Sequence, residues 1–166
     1  MKTLKRIGLI LLTIFIIIQF FRPPKNQSAT ILPVDIANLY GPMPADVTAI
    51  LKRSCTDCHS NNTVYPWYNI QPAAWLLDYD VRAGKRKLNF SEYGNYPINY
   101  QYKKLEDCMR VINDNYMPLD MYLWIHKDAK LSEAEKQKVR DWCNAIRAGM
   151  KQKYPAGSLK TPEDED

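Results

Sequence analysis

The stretch Cys55-Thr56-Asp57-Cys58-His59 places two thiols three positions apart, with an imidazole directly after the second. At this spacing each thiol can add to one vinyl group of a haem, while the next residue brings its ring under the iron. The motif therefore predicts one covalently attached c-type haem, bonded through Cys55 and Cys58, with His59 as the proximal iron ligand.

The same pattern also occurs in zinc sites and in redox-active dithiols. A closed zinc site needs four ligands, and the other candidates, Cys108, Cys143 and His126, are single residues without paired spacing. A thioredoxin-like dithiol follows a strand in a βαβ unit, and no such unit is predicted here. We therefore expect haem rather than zinc or a dithiol.

An apolar stripe leads directly into the motif. Val47, Ile50, Leu51 and Cys55 fall at positions i, i+3, i+4 and i+8, which is one face of a helix. This helix is predicted to begin after Pro44 and to present the first thiol at its end.

A second helix is predicted to start at Pro72, a residue that suits the first turn, and to end near Gly84. It is predicted to run through Trp75, Leu76 and Tyr79.

Two more helices follow. The stripe of the third consists of Leu105, Cys108, Met109 and Ile112. Ser132 and Glu135 form a capping box at the start of the fourth, and Gly149 is predicted to stop it. The core face of the fourth consists of Val139, Trp142, Cys143 and Ile146.

No stretch of useful length alternates like a strand, so the predicted fold class is all-α. We assign residues 44–154 to one helical domain. Residues 23–43 are predicted to be an extended linker, because prolines and polar residues disfavour regular structure there. Residues 155–166 are predicted to be an acidic, disordered tail.

Residues 1–22 are typical of an export signal. Three basic residues precede an apolar run from Ile7 to Phe21, and Arg22 follows it. No small residues suitable for cleavage end the run, which favours an uncleaved anchor. Together with the haem motif, this predicts a protein anchored on the periplasmic face of the inner membrane.

The charge distribution excludes one class of partner. Of the 23 basic residues five precede Gln27, so the other 18 balance the 18 acidic residues that follow. The net charge of +5 therefore belongs to the N-terminal segment alone, and we expect no nucleic-acid partner.

The other side of the iron has two candidate ligands. Met117, in a Met-Pro pair, is either the distal ligand or a loop methionine that fills the core. His126 could bind the iron instead, although a lone histidine is more often a loop residue. Cys108 and Cys143 either form a disulfide between two helices or remain buried thiols.

The order of CxxCH, Met-Pro and a capped helix resembles the class I cytochrome c pattern. More closely, residues 40–150 resemble the bacterial haem-binding domain family of single-haem, exported proteins. The likeness is carried by Ser60-Asn61-Asn62-Thr63, Tyr65-Pro66-Trp67-Tyr68, Ile70-Gln71-Pro72, and Leu88-Asn89-Phe90-Ser91. The resemblance implies a cytochrome c-like helical fold, a covalent haem with His59 as proximal ligand, and Met117 as the favoured distal ligand.

Aromatic and basic residues are expected around the haem. The predicted pocket walls are Trp67, Tyr68, Trp75 and Trp142. The basic run Arg82-Ala83-Gly84-Lys85-Arg86-Lys87 could pair with the haem propionates or with an acidic partner, or simply be a solvated helix end.

A single haem with two axial ligands predicts an electron carrier rather than an enzyme. Its expected partners are the membrane and other redox proteins. The alternatives are a haem-based sensor of a gas or of redox state, and a peroxidase, which needs an open iron position.

Overall fold

A computed structural model describes residues 1–28 and 30–162. Regular structure in this part is entirely helical, apart from one isolated bridge between Gln27 and Asn62. The α-helices are α1 (Lys2–Ile18), α2 (Ile36–Leu39), α3 (Ala45–Ser54), α4 (Thr56–His59), α5 (Ala73–Lys87), α6 (Ile98–Asn113), α7 (Asp120–Leu123) and α8 (Glu133–Lys153). Short 3-10 helices occupy Phe90–Asn95, Lys127–Ala129 and Ala156–Leu159. The all-α prediction is confirmed.

The core lies where α3, α6 and α8 pack together. The predicted apolar stripes of these three helices are buried or pack against the core, and Cys143 is completely buried. The core also takes Phe90 and Tyr93 from the 3-10 helix that follows α5. Burial of these apolar faces is the main force that holds the helices together.

The capping box at α8 is confirmed. The Ser132 hydroxyl accepts a hydrogen bond from the Glu135 backbone N–H, and the Glu135 carboxylate accepts one from the Ser132 N–H. However, α8 continues through Gly149 to Lys153, so the predicted stop is wrong. Glycine in a helix interior costs only about 1 kcal/mol relative to alanine, which the packing of this long helix outweighs.

Helix α5 begins directly after Pro72, as predicted, but it continues past Gly84 to Lys87. The three large apolar residues named above for this helix are not its buried residues. Trp75, Leu76 and Tyr79 remain substantially exposed to solvent. The residues that pack inward instead are Ala74, Leu77 and Val81.

Helix α1 has 17 residues, none of them buried, and its first turns contain three basic residues. Its apolar part, from Ile7 to Ile18, is about 18 Å long at 1.5 Å per residue, whereas the hydrocarbon core of a bilayer is about 30 Å thick. Within residues 1–28 and 30–162, no helix has both the length and the apolar character that a membrane crossing requires. The structure therefore gives no support to the predicted membrane anchor.

The segment after α1 is held against the helical domain. The Gln19 side-chain amide donates to the Gln71 carbonyl at 3.2 Å and accepts from the Gln71 N–H at 3.0 Å. The Phe21 carbonyl accepts from the Gln71 amide and from the Trp75 indole, both at 2.9 Å. These contacts explain why Trp75 lies outside the core.

The segment that we predicted to be an extended linker also packs on the domain. The Asn26 side chain donates to the Ser60 carbonyl and to the Thr63 hydroxyl. Further along, α2 lies within this segment and buries Ile36 in the core. The prolines limit regular structure there, but the segment is not a free tether.

The C-terminal segment differs in part from the predicted disordered tail. Residues 156–159 form a 3-10 helix against α6, in which Leu159 is buried. Thr161 is buried as well. The acidic residues 163–166 lie outside the described residues.

Candidate functional site

A cavity of about 420 Å³ lies between α4, α5 and the segment that contains α7. Its wall contains Cys55, Cys58 and His59, and also Met117, which follows α6. The remaining wall is mostly apolar. Its size falls within the range of roughly 300–1,000 Å³ that is usual for ligand and cofactor sites.

The motif is placed by two helices that meet at Cys55. Cys55 caps the end of α3, and its N–H donates a hydrogen bond to the Leu51 carbonyl. Its backbone is not helical, with φ −132° and ψ −43°. The next turn closes with the His59 N–H on the Cys55 carbonyl at 3.0 Å. Both thiols and the imidazole therefore line one cavity within a single turn.

The His59 ring is oriented by the backbone that follows α5. Its Nδ1 lies 2.9 Å from the Leu88 carbonyl oxygen, which can only accept, so Nδ1 carries the proton in this contact. The other ring nitrogen, Nε2, is then left with a free lone pair. Burial lowers the pKa of His59. A neutral, oriented imidazole is the form that binds a metal.

Gly84 allows α5 to lie directly against the motif. A Cβ atom at this position would be 2.7 Å from the Cys58 carbonyl oxygen and 3.1 Å from the Cys58 Cβ. No other side chain could occupy this position without displacing one of the two helices. The glycine that the sequence suggested as a helix stop is therefore a packing site.

The thiols themselves are sheltered from water. Burial raises the pKa of Cys58 to about 12 and raises that of Cys55 as well, so both sulfurs are protonated at neutral pH. Ser54, next to Cys55, also lines the cavity, and its buried hydroxyl has no hydrogen-bond partner among the described residues.

Met117 reaches the cavity because the chain reverses sharply after α6. Asn115 adopts the left-handed conformation, with φ 59°. The Asn115 side chain accepts a hydrogen bond from the buried Lys136 ammonium at 2.7 Å. The N–H groups of Tyr116 and Met117 both bond to the Val111 carbonyl. This turn places Met117 in the wall that also contains the cysteine motif.

His126 does not line the cavity. Its Nε2 is 2.7 Å from the Tyr68 hydroxyl, and its ring stacks on Tyr122 with the centroids 4.2 Å apart. Of the two candidate distal ligands, the structure therefore places Met117 in the cavity and His126 behind two tyrosines.

Of the four aromatic residues predicted to wall the pocket, only Tyr68 lines the cavity. Trp67 is 86% exposed, and Trp142 lies in the core of the domain. Trp75 bonds to the Phe21 carbonyl. Two other residues of α5, Leu76 and Tyr79, line the cavity instead of the three tryptophans.

The basic run on α5 divides between three environments. Lys87 lines the cavity, Lys85 donates to the Asn26 side chain at 2.7 Å, and Arg82 pairs with Asp78. Lys87 is therefore the member of this run that is placed to meet a carboxylate of a bound group.

All four cysteines are free thiols, so no disulfide joins α6 to α8. Cys143 is buried in the core, and Cys108 packs against it. Within the described ranges, no three His, Cys, Asp or Glu side chains are grouped as a metal ion would require.

The residues of the cavity fit a haem better than a bare metal ion. Two adjacent thiols, one oriented imidazole and a thioether share one mostly apolar enclosure. A larger groove of about 650 Å³ beside α8 contains neither cysteine nor histidine. The site thus has the donor set of a small helical haem protein.

Comparison with known families agrees with this class. A family model described as a haem-binding domain matches residues 13–145, and the chain belongs to that family. No curated protein matches the chain, and no solved structure does. The family supports haem as the cofactor of this domain.

Sequence patterns do not reveal three features of the site. They are the Leu88 carbonyl that orients His59, the close contact at Gly84, and the hydrogen bond from Tyr122 to Asp57. The only signal in the sequence was Gly84 itself, which lies in the middle of an otherwise continuous helical stretch.

Proposed function

We propose that the protein is an exported c-type cytochrome that carries one covalent haem and transfers electrons. Cys55 and Cys58 form the thioether bonds, His59 is the proximal ligand, and Met117 is the distal ligand. The observation that carries this proposal is the single cavity that holds all four residues, with His59 already oriented by the Leu88 carbonyl.

Bound haem supplies the chemistry, a one-electron exchange between ferrous and ferric iron. The residues of the chain adjust that exchange. The Met117 thioether favours the ferrous form relative to a second imidazole, and an apolar wall raises the potential by excluding water. The apolar residues Leu77, Met121 and Ile125 contribute to this wall.

Export belongs to the same proposal. Thioether formation of this kind takes place on the export side of the membrane, and the basic and apolar N-terminus is typical of an export signal. Redox proteins of the same compartment are the proposed partners. A carrier is favoured over an enzyme, because the cavity contains both an imidazole and a thioether that would ligate the iron of a bound haem.

Covalent attachment can be tested with the full chain, produced in a bacterium that attaches haem to exported proteins. We expect haem to stay with the denatured polypeptide, at one haem per chain by mass spectrometry. The double variant Cys55→Ala/Cys58→Ala should lose it. The matched double variant Cys108→Ala/Cys143→Ala should keep it. Haem that is released from the wild-type chain on denaturation would refute covalent attachment.

The distal ligand is tested by the absorption spectrum of the ferric protein. Thioether ligation gives a weak band at the red end of the spectrum, which Met117→Ala should abolish. Two control variants should retain the band. One is Met121→Ala, which removes another methionine of the cavity wall, and the other is His126→Ala. A high-spin wild-type spectrum with ready binding of carbon monoxide would instead indicate an open iron, as in a sensor or a peroxidase.

A further inference from the structure

Met117 belongs to a segment that we call the distal loop, residues 114–126, between α6 and the 3-10 helix Lys127–Ala129. This loop contains α7 and forms one side of the cavity. Its own backbone hydrogen bonds are local, between residues at most six positions apart. Contacts of its side chains with other elements must therefore fix its position over the cavity.

One of these contacts reaches the cysteine motif. The Tyr122 hydroxyl donates to the Asp57 carboxylate at 2.9 Å. The other Asp57 oxygen accepts from the Val64 N–H at 3.0 Å, which fixes the direction of the carboxylate. Asp57 lies between the two cysteines, and Tyr122 lies five residues after Met117. This bond therefore joins the two sides of the cavity directly.

A second contact supports the same tyrosine. The ring of His126 stacks on Tyr122 and also lies within hydrogen-bond distance of Tyr68. Tyr122 is thus confined by stacking on one side and by Asp57 at its hydroxyl. A hydrogen bond to a charged acceptor in a half-buried place is stronger than one between neutral groups.

We propose that the Tyr122–Asp57 hydrogen bond is a latch, which keeps the distal loop closed over the cavity and so keeps Met117 in place to bind the iron of a haem in the cavity. Tyr122 is then a positioning residue, since it acts through Met117 and does not itself bind the iron. This inference rests on the proposed function, in which Met117 is the distal ligand. An opened latch would let a small ligand displace Met117.

The test uses the full-length haem-loaded protein with imidazole as the competing ligand. Tyr122→Phe removes only the hydroxyl and keeps the stacked ring. We expect imidazole to bind the ferric form of this variant about tenfold more tightly, the factor that corresponds to losing one hydrogen bond to a charged group. Amide hydrogen exchange should become faster in residues 116–126 and remain unchanged in α6 and α8.

Tyr116→Phe is the matched control, because Tyr116 is in the same loop but 67% exposed. It should behave like the wild type in both measurements. If Tyr122→Phe does not fold, Asp57→Asn provides a second test, since it retains an acceptor oxygen but removes the charge, and it should show a smaller effect of the same sign.

Wild-type values in both measurements for Tyr122→Phe would overturn the latch, while Met117 ligation would stand. If Met117→Ala leaves the ferric spectrum unchanged, the distal-ligand assignment fails. In that case, faster exchange confined to the loop in Tyr122→Phe would still support the latch as a loop contact. Exchange that increases throughout α6 and α8 would overturn it, since that pattern indicates general destabilisation.

Discussion

The two sides of the cavity are held in different ways. On the proximal side the thiols and His59 lie within five consecutive residues, and α5 packs directly on them at Gly84. On the distal side Met117 bonds through its N–H to α6 and packs against the core, and the loop that carries it is tied to distant parts of the chain by single polar contacts, at Lys136 and Asp57. One side is fixed by close packing of two helices, and the other depends more on a few hydrogen bonds.

This difference has a functional consequence. His59, the proposed proximal ligand, keeps its place as long as α4 and α5 stay together, since its geometry is local. Met117, the proposed distal ligand, depends on contacts that can open one at a time without unfolding the core. Segments with few buried contacts open at lower free energy than the core does. We therefore expect the distal side to determine how easily the iron site opens.

The largest effect is expected from Gly84→Ala on the proximal side. The new methyl group would lie 2.7 Å from the Cys58 carbonyl oxygen, which is backbone and cannot turn away. Overpacking of this kind lowers the free energy of unfolding by about 1–3 kcal/mol. Chemical denaturation of the haem-loaded protein measures the change.

The same substitution at Gly149 is the control, because that helical position has no neighbouring atom within 4 Å. Gly149→Ala should raise the free energy of unfolding by about 0.5–1 kcal/mol, through helix propensity alone. If the two variants were equally stable, close packing at Gly84 could not be what holds the proximal side.

A smaller effect is expected from Lys136→Met on the distal side. The Lys136 ammonium is buried and donates to Asn115 in the turn before Met117. Methionine keeps the apolar stem but leaves the Asn115 side-chain oxygen without its donor. It also removes the ion pair with Glu133, whose exposed carboxylate contributes little. We expect a loss of about 1–2 kcal/mol in unfolding free energy, and faster amide exchange at residues 115–117.

Lys138→Met removes a lysine two positions away, whose ion pair with Asp46 is about half exposed. Exposed pairs contribute little, so the loss of stability should be clearly smaller than that of Lys136→Met. If Lys138→Met proved as destabilising as Lys136→Met, the contact to Asn115 would have no special role on the distal side.

Sequence patterns predict more of the proximal side than of the distal side, because they record contacts between residues that are close together in the chain. The CxxCH motif, the helix after Pro44 and the capping box at Ser132 are all patterns of neighbouring residues, and such patterns have a direct local cause. The contact between Tyr122 and Asp57 joins positions 65 residues apart. No short pattern records a contact of that kind.

Helix α5 shows a second limit of sequence patterns. Leu76 and Tyr79 have the spacing of a core face, but in the structure they line the cavity. An apolar stripe indicates a surface that avoids water, and it does not distinguish a protein core from a cofactor pocket. Similarly, the prolines of residues 23–43 exclude long helices there but do not reveal that Asn26 binds the domain.

The smallest effect is expected from acid, through the carboxylate that joins α8 to α3. The Glu135 carboxylate accepts hydrogen bonds from the Ser132 backbone N–H at 2.8 Å and from the Arg53 guanidinium at 2.7 Å. Arg53 lies two residues before Cys55. These hydrogen bonds, chiefly the one from the Ser132 backbone, lower the pKa of Glu135 from 4.5 to about 2. The folded state therefore prefers the charged form, and its stabilisation is complete above pH 4.5 and is lost as the pH falls toward 2.

Glu135→Gln should make the free energy of unfolding less dependent on pH in this window, as measured by denaturation at several pH values. Asn115→Gly should keep the wild-type slope, because the amide of Asn115 does not titrate there and the ion pair between Lys136 and Glu133 is left in place. A Glu135→Gln variant with an unchanged slope would mean that the acid response arises from other carboxylates. The expected result would separate the two sides once more, since acid would then loosen the contact between α8 and α3, the helix that leads into the cysteine motif, and leave the contact between Lys136 and Asn115 intact.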